Sequence, residues 1–371
     1  MSELGVIVCG GGVAAVEGLL RLRRLLGDDA AITLLAPNDD FTYRPLSVEE
    51  PFAFGSALVH PLERIAADAG AELVKDTLGW VDADARRVHT GEGAEVAYDS
   101  LLIAVGARPV ADFEHAVTFL DNRAGDLYAE VVAGVENGKV TSVAFVVPRG
   151  PSYPLPAYEL ALMTATHERP GDLRVLRATP EPTALAVFGG VAGAVVGNRL
   201  RQAGVELYSS AFAHVSAPGS LLLQPPGELI DVDRVVVMPR IEGPGIRGLA
   251  GGGAHGFIPI DAQCCVPGTD SRVYAAGDAT AFPVKHGGLG AQQADVAAAA
   301  MARLHGVDAE PRRYLPEIRG MLLTGGHPLY LYARLVGAQG FDSEVYDAPP
   351  WPVDDKIVAE ELGSYLAGVS E

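Results

Sequence analysis

Short apolar runs alternate with longer amphipathic stretches along this chain. Leu4 to Cys9 is apolar, as in a strand buried within a parallel sheet. Val13 to Leu26 carries a helical pattern, and Ala31 to Leu35 predicts a second strand. This is a βαβ opening at residue 4, and no domain is expected before it. A loop over 37–56 and a helix from Pro61 to Ala69 follow, and then a buried strand at Leu101-Leu102-Ile103-Ala104-Val105. The pattern then restarts. Val140 to Val147, Leu173 to Ala178 and Val205 to Tyr208 read as strands, with Val235 to Met238 closing the unit. Helical stretches run from Ala157 to His167 and from Val191 to Ala203. Arg272 to Ala276 reads as a strand ending in Gly277-Asp278, followed by an Ala-rich helix from Gly287 to His305. The last 60 or so residues hold several prolines and end in a helix-like stretch. The expected fold class is α/β, with two successive α/β units and a short C-terminal region.

Composition narrows the function. The chain has 371 residues, 28 Lys and Arg against 47 Asp and Glu, and a formal net charge of −19. That charge argues against nucleic acid and against charge-driven binding to an anionic bilayer. Lysine occurs only at 75, 139, 285 and 356, so any lysine near a cofactor is informative. The three cysteines, Cys9, Cys264 and Cys265, do not form a secreted disulfide framework. No apolar run reaches the roughly 18–20 residues of a membrane helix, and no signal-peptide pattern opens the chain. A cytoplasmic location is the expectation.

Gly10-Gly11-Gly12-Val13-Ala14-Ala15 fits G-x-G-x-x-G/A through Gly10, Gly12 and Ala15. In that pattern the first glycine makes a tight turn and the second admits a pyrophosphate. The small third residue allows close helix–strand packing, and the helix N-terminus offers N–H groups to the anion. The expected acid at the end of the second strand is missing; Leu35-Ala36-Pro37 stands there, and Asp39 and Asp40 read as a solvated turn.

With two further segments, the opening resembles the pyridine nucleotide–disulfide oxidoreductase superfamily. These are Leu101 to Pro109, similar to the motif where the chain leaves the FAD domain, and Val273-Tyr274-Ala275-Ala276-Gly277-Asp278-Ala279, similar to the later FAD-binding motif. The resemblance implies an α/β fold of two Rossmann-like, doubly wound dinucleotide-binding domains plus a short C-terminal cap: an FAD domain near 1–115 and 250–310, an NAD(P)-like domain with a degenerate loop over 116–249, and the cap over 311–371. It implies FAD contacts at Gly10, Gly12, Val13, Ala14, Ala15 and Ala36, and at Arg44, Ala104 and Gly106. Further contacts would come from Gly277, Asp278, Lys285, Gly288, Leu289 and Gln292. Asp278 would accept hydrogen bonds from cofactor hydroxyls. The segment Phe282 to Gln293 looks like sulfide:quinone reductase and type II NADH dehydrogenase relatives, whose equivalent helix borders flavin and quinone. Lys285 is then either beside the flavin or a solvated loop lysine; Gln292 and Gln293 contact flavin or acceptor, or pack; His286 reads as loop-exposed. Phe41 to Ser47 is similar to a segment beside the isoalloxazine in ferredoxin-reductase-like members, which makes Pro45 a flavin-face candidate. Those members carry a lysine soon after, whereas Val48 and Glu49 follow here, so their Lys–Glu pair is not expected to form.

Two family features are absent. Residues 36–100 contain no cysteine, and Cys264-Cys265 are adjacent, an arrangement strained for a disulfide. The nucleotide loop of the second domain, Pro148 to Ala157, holds prolines that lack the N–H donors of a phosphate cradle. Arg149 either binds phosphate or lies in a solvated loop. Glu159, in a family-like Glu-Leu-Ala, sits near the redox centre or on a helix surface. Lys356 to Val369 predicts a helix with an apolar face and an acidic face, which packs on its own core or on a second copy rather than on a membrane. The expected activity is transfer of two electrons from NAD(P)H through FAD to a quinone or other small acceptor, with Lys285, Pro45 and Glu159 at the reacting end and no metal. The alternatives are a sulfide:quinone-reductase-like enzyme that does not use nicotinamide, and a flavin-binding sensor without turnover. The expected partners are a small electron donor and acceptor, with a homodimer left open.

Overall fold

The computed structural model describes residues 4–119, 121–249, 254–336, 340–351 and 356–369. The chain opens with strand β1 (Leu4–Cys9), helix α1 (Val13–Leu26) and strand β2 (Ala30–Leu35). It continues through β3 (Glu72–Val74) and β4 (Ser100–Ile103). The middle third holds β5 (Ser142–Val146), α2 (Leu155–Thr166), β6 (Arg174–Ala178), α3 (Gly189–Gln202), β7 (Val205–Tyr208) and β8 (Arg234–Val237). The last third holds β9 (Val273–Ala275), α4 (Gly287–Leu304), β10 (Glu317–Leu322), β11 (Leu329–Val336), β12 (Gly340–Tyr346) and α5 (Glu361–Val369).

The first sheet has the order β9-β4-β1-β2-β3, parallel throughout. Its central strands are buried on both faces, which is why they read as continuous apolar runs rather than alternating ones. α1 and α4 pack side by side on one face, and Gly18 lets α1 sit close on the sheet: a Cβ there would lie 2.4 Å from a methyl of Leu102 on β4. β9 joins β4 at the sheet edge after the second unit is complete, so the first unit is assembled from both ends of the chain. The second sheet contains β8-β5-β6-β7, also parallel. The chain crosses between the units at Arg108–Val110 and Arg240–Glu242, which pair antiparallel.

Sequence pattern does not reveal three small antiparallel sheets. One is Leu78–Asp82, Arg87–Thr90 and Glu95–Ala97; another is Phe212–Ala217, Ser220–Gln224 and Glu228–Asp231. The third lies near the C-terminus, where β10, β11 and β12 form a meander. It packs on the second unit, where Ile318, Leu322, Leu331 and Ala333 share a core with α2 and α3. The last helix is also shorter than expected, beginning at Glu361 rather than at Lys356.

Candidate active site

β1 ends at Cys9, and the chain turns at Gly10 with φ +125°; a Cβ there would lie 2.2 Å from the Ala104 carbonyl oxygen. Glycine is therefore required by both conformation and space. At Gly12 a Cβ would meet nothing within 4 Å, so this position faces open space rather than protein. No side chain caps the N-terminus of α1, and its first turn holds no acid. Its first N–H groups thus remain available to an anion. Ala15 is fully buried, as expected for close helix–strand packing, and Ala36 is buried and donates its N–H to the Val74 carbonyl.

This turn forms one wall of a cleft of about 570 Å³. Gly12, Val13, Ala14, Arg44, Ala104 and Gly106 line it, together with Gly277, Asp278, His286 and Gly290. Asp39 and Asp40 line it too, and Asp39 also pairs with Lys75 at 2.7 Å. The carboxylates missing from the end of β2 thus arrive from the following turn. Gly277, at φ +76°, packs against Ala14 and Gly290. Its N–H donates to Gln293 Oε1 at 2.8 Å, so Gln293 holds the Gly277-Asp278 turn. Gln292 instead exchanges two hydrogen bonds with the backbone of Glu317 and docks the cap onto α4. Leu289 is buried in the core of the second unit, and Gly288 lies against the His286 ring.

Asp278 carries the chemical argument for a ligand. Its carboxylate lines the cleft and accepts no hydrogen bond from any of the described residues. Burial pushes its pKa up, and Lys285 opposes that shift. A half-buried carboxylate facing a cleft can accept from a ligand's hydroxyls, and those of FAD are donors of this kind. The open glycine at position 12, the uncapped helix and this carboxylate together fit FAD. Lys285 is buried rather than solvated: its ammonium donates to the carbonyls of Asp278 and Thr280 and lies 3.8 Å from the Phe257 ring centroid. Burial lowers its pKa to about 8.

His286 departs from its loop-exposed reading, and of the two readings of Glu159 the structure excludes the helix surface. His286 is 5% exposed and caps α4, its Nδ1 accepting from the Gly288 N–H at 3.0 Å. That bond puts the ring proton on Nε2. Burial, with Lys356 nearby, lowers the His286 pKa to about 4, so the ring is neutral. Tyr153 packs edge-on at 5.5 Å between ring centroids. Glu159 is 1% exposed, and its carboxylate accepts from the Leu323 N–H at 3.0 Å and from Lys356 at 2.7 Å. Lys356 also donates to the Pro45 carbonyl at 2.9 Å. Burial raises the Glu159 pKa and Lys356 opposes it.

A Lys–Glu pair beside Pro45 therefore does form, which corrects the expectation from local sequence. The lysine comes from the C-terminal segment, 311 residues away from Pro45. Sequence reasoning missed Lys356 because it seemed to belong to a helical face; its rarity as one of four lysines was the available signal.

In the second unit, Arg149 lies over the Phe212 ring at 4.8 Å from its centroid. Glu181, just after β6, accepts from the Tyr158 hydroxyl, the Thr179 hydroxyl and the Ala186 N–H. All three cysteines are free and buried, and burial raises each thiol pKa, so they are poor nucleophiles. Among the described residues no helix is long and apolar enough to cross a membrane, and no cluster of metal-ligating side chains occurs.

Two parallel dinucleotide-type units with a glycine-walled cleft define a flavin-dependent oxidoreductase of the two-domain type. The family described as "Pyridine nucleotide-disulphide oxidoreductase" matches residues 4–303, and the chain belongs to it. Solved structures share the fold. The sulfide:quinone oxidoreductase of the hyperthermophilic bacterium Aquifex aeolicus aligns with a TM-score of 0.80 at 18% identity, over 99% of this chain and 89% of that one. The ferredoxin reductase for the CYP199A2 system of Rhodopseudomonas palustris aligns with a TM-score of 0.70 at 19% identity, over 92% and 88%. A NAD-dependent persulfide reductase from A. fulgidus gives 0.67 at 18%, over 90% and 64%.

Proposed function

We propose that this protein binds FAD in the glycine-walled cleft and passes two electrons from NAD(P)H to a quinone or another small acceptor. Residues 1–115 and 250–310 serve as the FAD domain, 116–249 as the nucleotide-like domain and 311–371 as a cap. The observations that carry the reading are the half-buried Asp278 carboxylate and the open glycine at position 12, which line the same cleft. When bound, FAD supplies the two-electron chemistry.

The protein's own residues bind, orient and handle protons. Gly12 and the α1 N-terminus receive the pyrophosphate, and Asp278 accepts from cofactor hydroxyls. Lys285, held against Phe257, keeps a positive charge beside Asp278 and supports its ionised form. His286 offers an Nε2 proton at the cleft wall, while the α4 N-terminus adds its partial positive charge where negative charge collects on reduction. Lys356 ties Pro45 to Glu159 and holds the Arg44–Leu46 turn against the second unit. Glu159, kept at raised pKa by burial, is the group best suited to exchange a proton at this end of the site.

A second reading omits nicotinamide. The Glu181 carboxylate already accepts from three protein donors, and the loop from Pro148 to Pro156 is rich in proline. Both features favour a donor that reaches the flavin directly. Anaerobic mixing of the FAD-loaded protein with NADH, NADPH and sulfide in turn, followed by the flavin absorbance, decides between them. Rapid bleaching by NADH or NADPH supports the first reading, and bleaching by sulfide alone supports the second. A protein that takes up no FAD refutes both.

A further inference from the structure

The segment that delivers Lys356 is held from an unexpected place. Glu17 lies inside α1 and is fully buried. Its carboxylate accepts from three successive backbone N–H groups: Glu360 at 2.9 Å, Glu361 at 3.0 Å and Leu362 at 2.6 Å. Those are the orphan donors at the start of α5, so one helix caps another across 343 to 345 residues of chain. Burial raises the Glu17 pKa and the three N–H groups lower it. Arg21, one turn further along α1, reaches Glu360 at 3.0 Å and Glu361 at 2.9 Å. Arg24 adds a contact to Glu361 at 2.9 Å.

Lys356 precedes this cap by four residues. Between them, the Ile357 N–H donates to the Tyr43 hydroxyl at 2.7 Å, and Ile357 packs where a Gly287 Cβ would lie. Five consecutive positions thus run from the Glu17 cap to the Pro45–Glu159 contact with little slack.

We infer that Glu17 is a positioning residue for the redox site: by capping α5 from within the FAD domain, it sets residues 356–362 so that Lys356 bridges Pro45 and Glu159. Electrostatics favour the arrangement, since a carboxylate at a helix N-terminus opposes the positive end of the dipole. The inference rests on the proposed reading of Lys356 as part of the flavin-side cluster.

The test uses the full-length, FAD-loaded protein with Glu17→Gln, Glu17→Ala, Arg21→Met and Lys356→Met. Hydrogen exchange over residues 356–369 reads the cap directly, and the flavin visible spectrum and reduction potential read its effect on the site. Glu17→Ala is expected to speed exchange over 360–362 by roughly tenfold or more. Glu17→Gln, which keeps one acceptor, falls between it and the wild type. Arg21→Met, which leaves the cap intact, gives a smaller change and covers the case in which Glu17→Ala does not fold. Both Glu17 variants should shift the flavin potential in the same direction as Lys356→Met, by less. Unchanged exchange in the Glu17 variants overturns the cap. Faster exchange with a flavin potential unmoved by Glu17→Ala, while Lys356→Met moves it, overturns the positioning role. A flavin insensitive to Lys356→Met overturns the site reading and the positioning role with it, while the exchange result still judges the cap.

Discussion

Replacing Lys356 with methionine isolates the energetic core of the site. The two side chains are 4% and 1% exposed, and they meet at 2.7 Å. Methionine fills most of the lysine volume, so the main loss is charge rather than packing. Removing one partner of a buried pair strands the other and typically costs about 3–5 kcal/mol. Glu159 keeps the Leu323 N–H as a donor, which places the expected loss toward the lower end, near about 3 kcal/mol. The pH dependence follows from its raised pKa. A carboxyl whose folded pKa exceeds its unfolded value is best tolerated while protonated, and loses stability as pH rises through the folded pKa. Loss of Lys356 raises that pKa further. The deficit should therefore shrink toward acid pH and be large at about pH 8, measured by urea unfolding of wild type and variant. Adding Glu159→Gln removes the stranded charge and should recover most of the deficit at about pH 8. A loss below about 1 kcal/mol at that pH, the range of an exposed pair, would refute the reasoning. So would a loss that does not change with pH, or a double variant no more stable than Lys356→Met alone.

Four further outcomes are expected. Gly10→Ala should destabilise the FAD-free protein by more than about 3 kcal/mol, because its Cβ meets the Ala104 carbonyl at 2.2 Å. Gly12→Ala should leave that stability within about 0.5 kcal/mol yet weaken FAD binding at least about tenfold; melting curves and flavin titration distinguish the two. Asp278→Ala should release FAD on gel filtration without lowering the melting temperature of the FAD-free protein, since its carboxylate has no donor among the described residues. Burial and the nearby Glu17 and Glu360 raise Asp295 from 3.8 to about 8, so its protonated form stabilises the fold and that stability is lost as pH rises between those values. Asp295→Asn should therefore melt higher than wild type above about pH 8, with the difference vanishing near pH 4; a constant difference across that span counts against the assignment.

Much of the FAD side was legible in sequence because its determinants are local. A buried parallel strand must be apolar on both faces, a turn as extreme as Gly10 at φ +125° and pressed on backbone must be glycine, and a close helix crossing must be small. Those rules locate β1, α1, β4 and β9, and they isolate Gly10, Gly12 and Ala15 without any tertiary information, whereas Asp278 was singled out only by the resemblance to the family. The cap was not legible: β10, β11 and β12 have their apolar residues arranged to cover α2 and α3, and their pairing is set by that contact rather than by local propensity.

The reacting end divides in the same way. Sequence alone determined that a lysine near the cofactor would be unusual, that no thiol relay was set up, and that the second loop lacked phosphate donors. Only the tertiary structure decided which lysine pairs with Glu159, that His286 is buried and neutral, and that Gln293 rather than Gln292 supports the Gly277-Asp278 turn. The physical reason is that a charged side chain carries no signature of burial in its neighbours along the chain. Its partner is chosen by folding, and Lys356 finds Glu159 across 197 residues because desolvation leaves each of them little alternative.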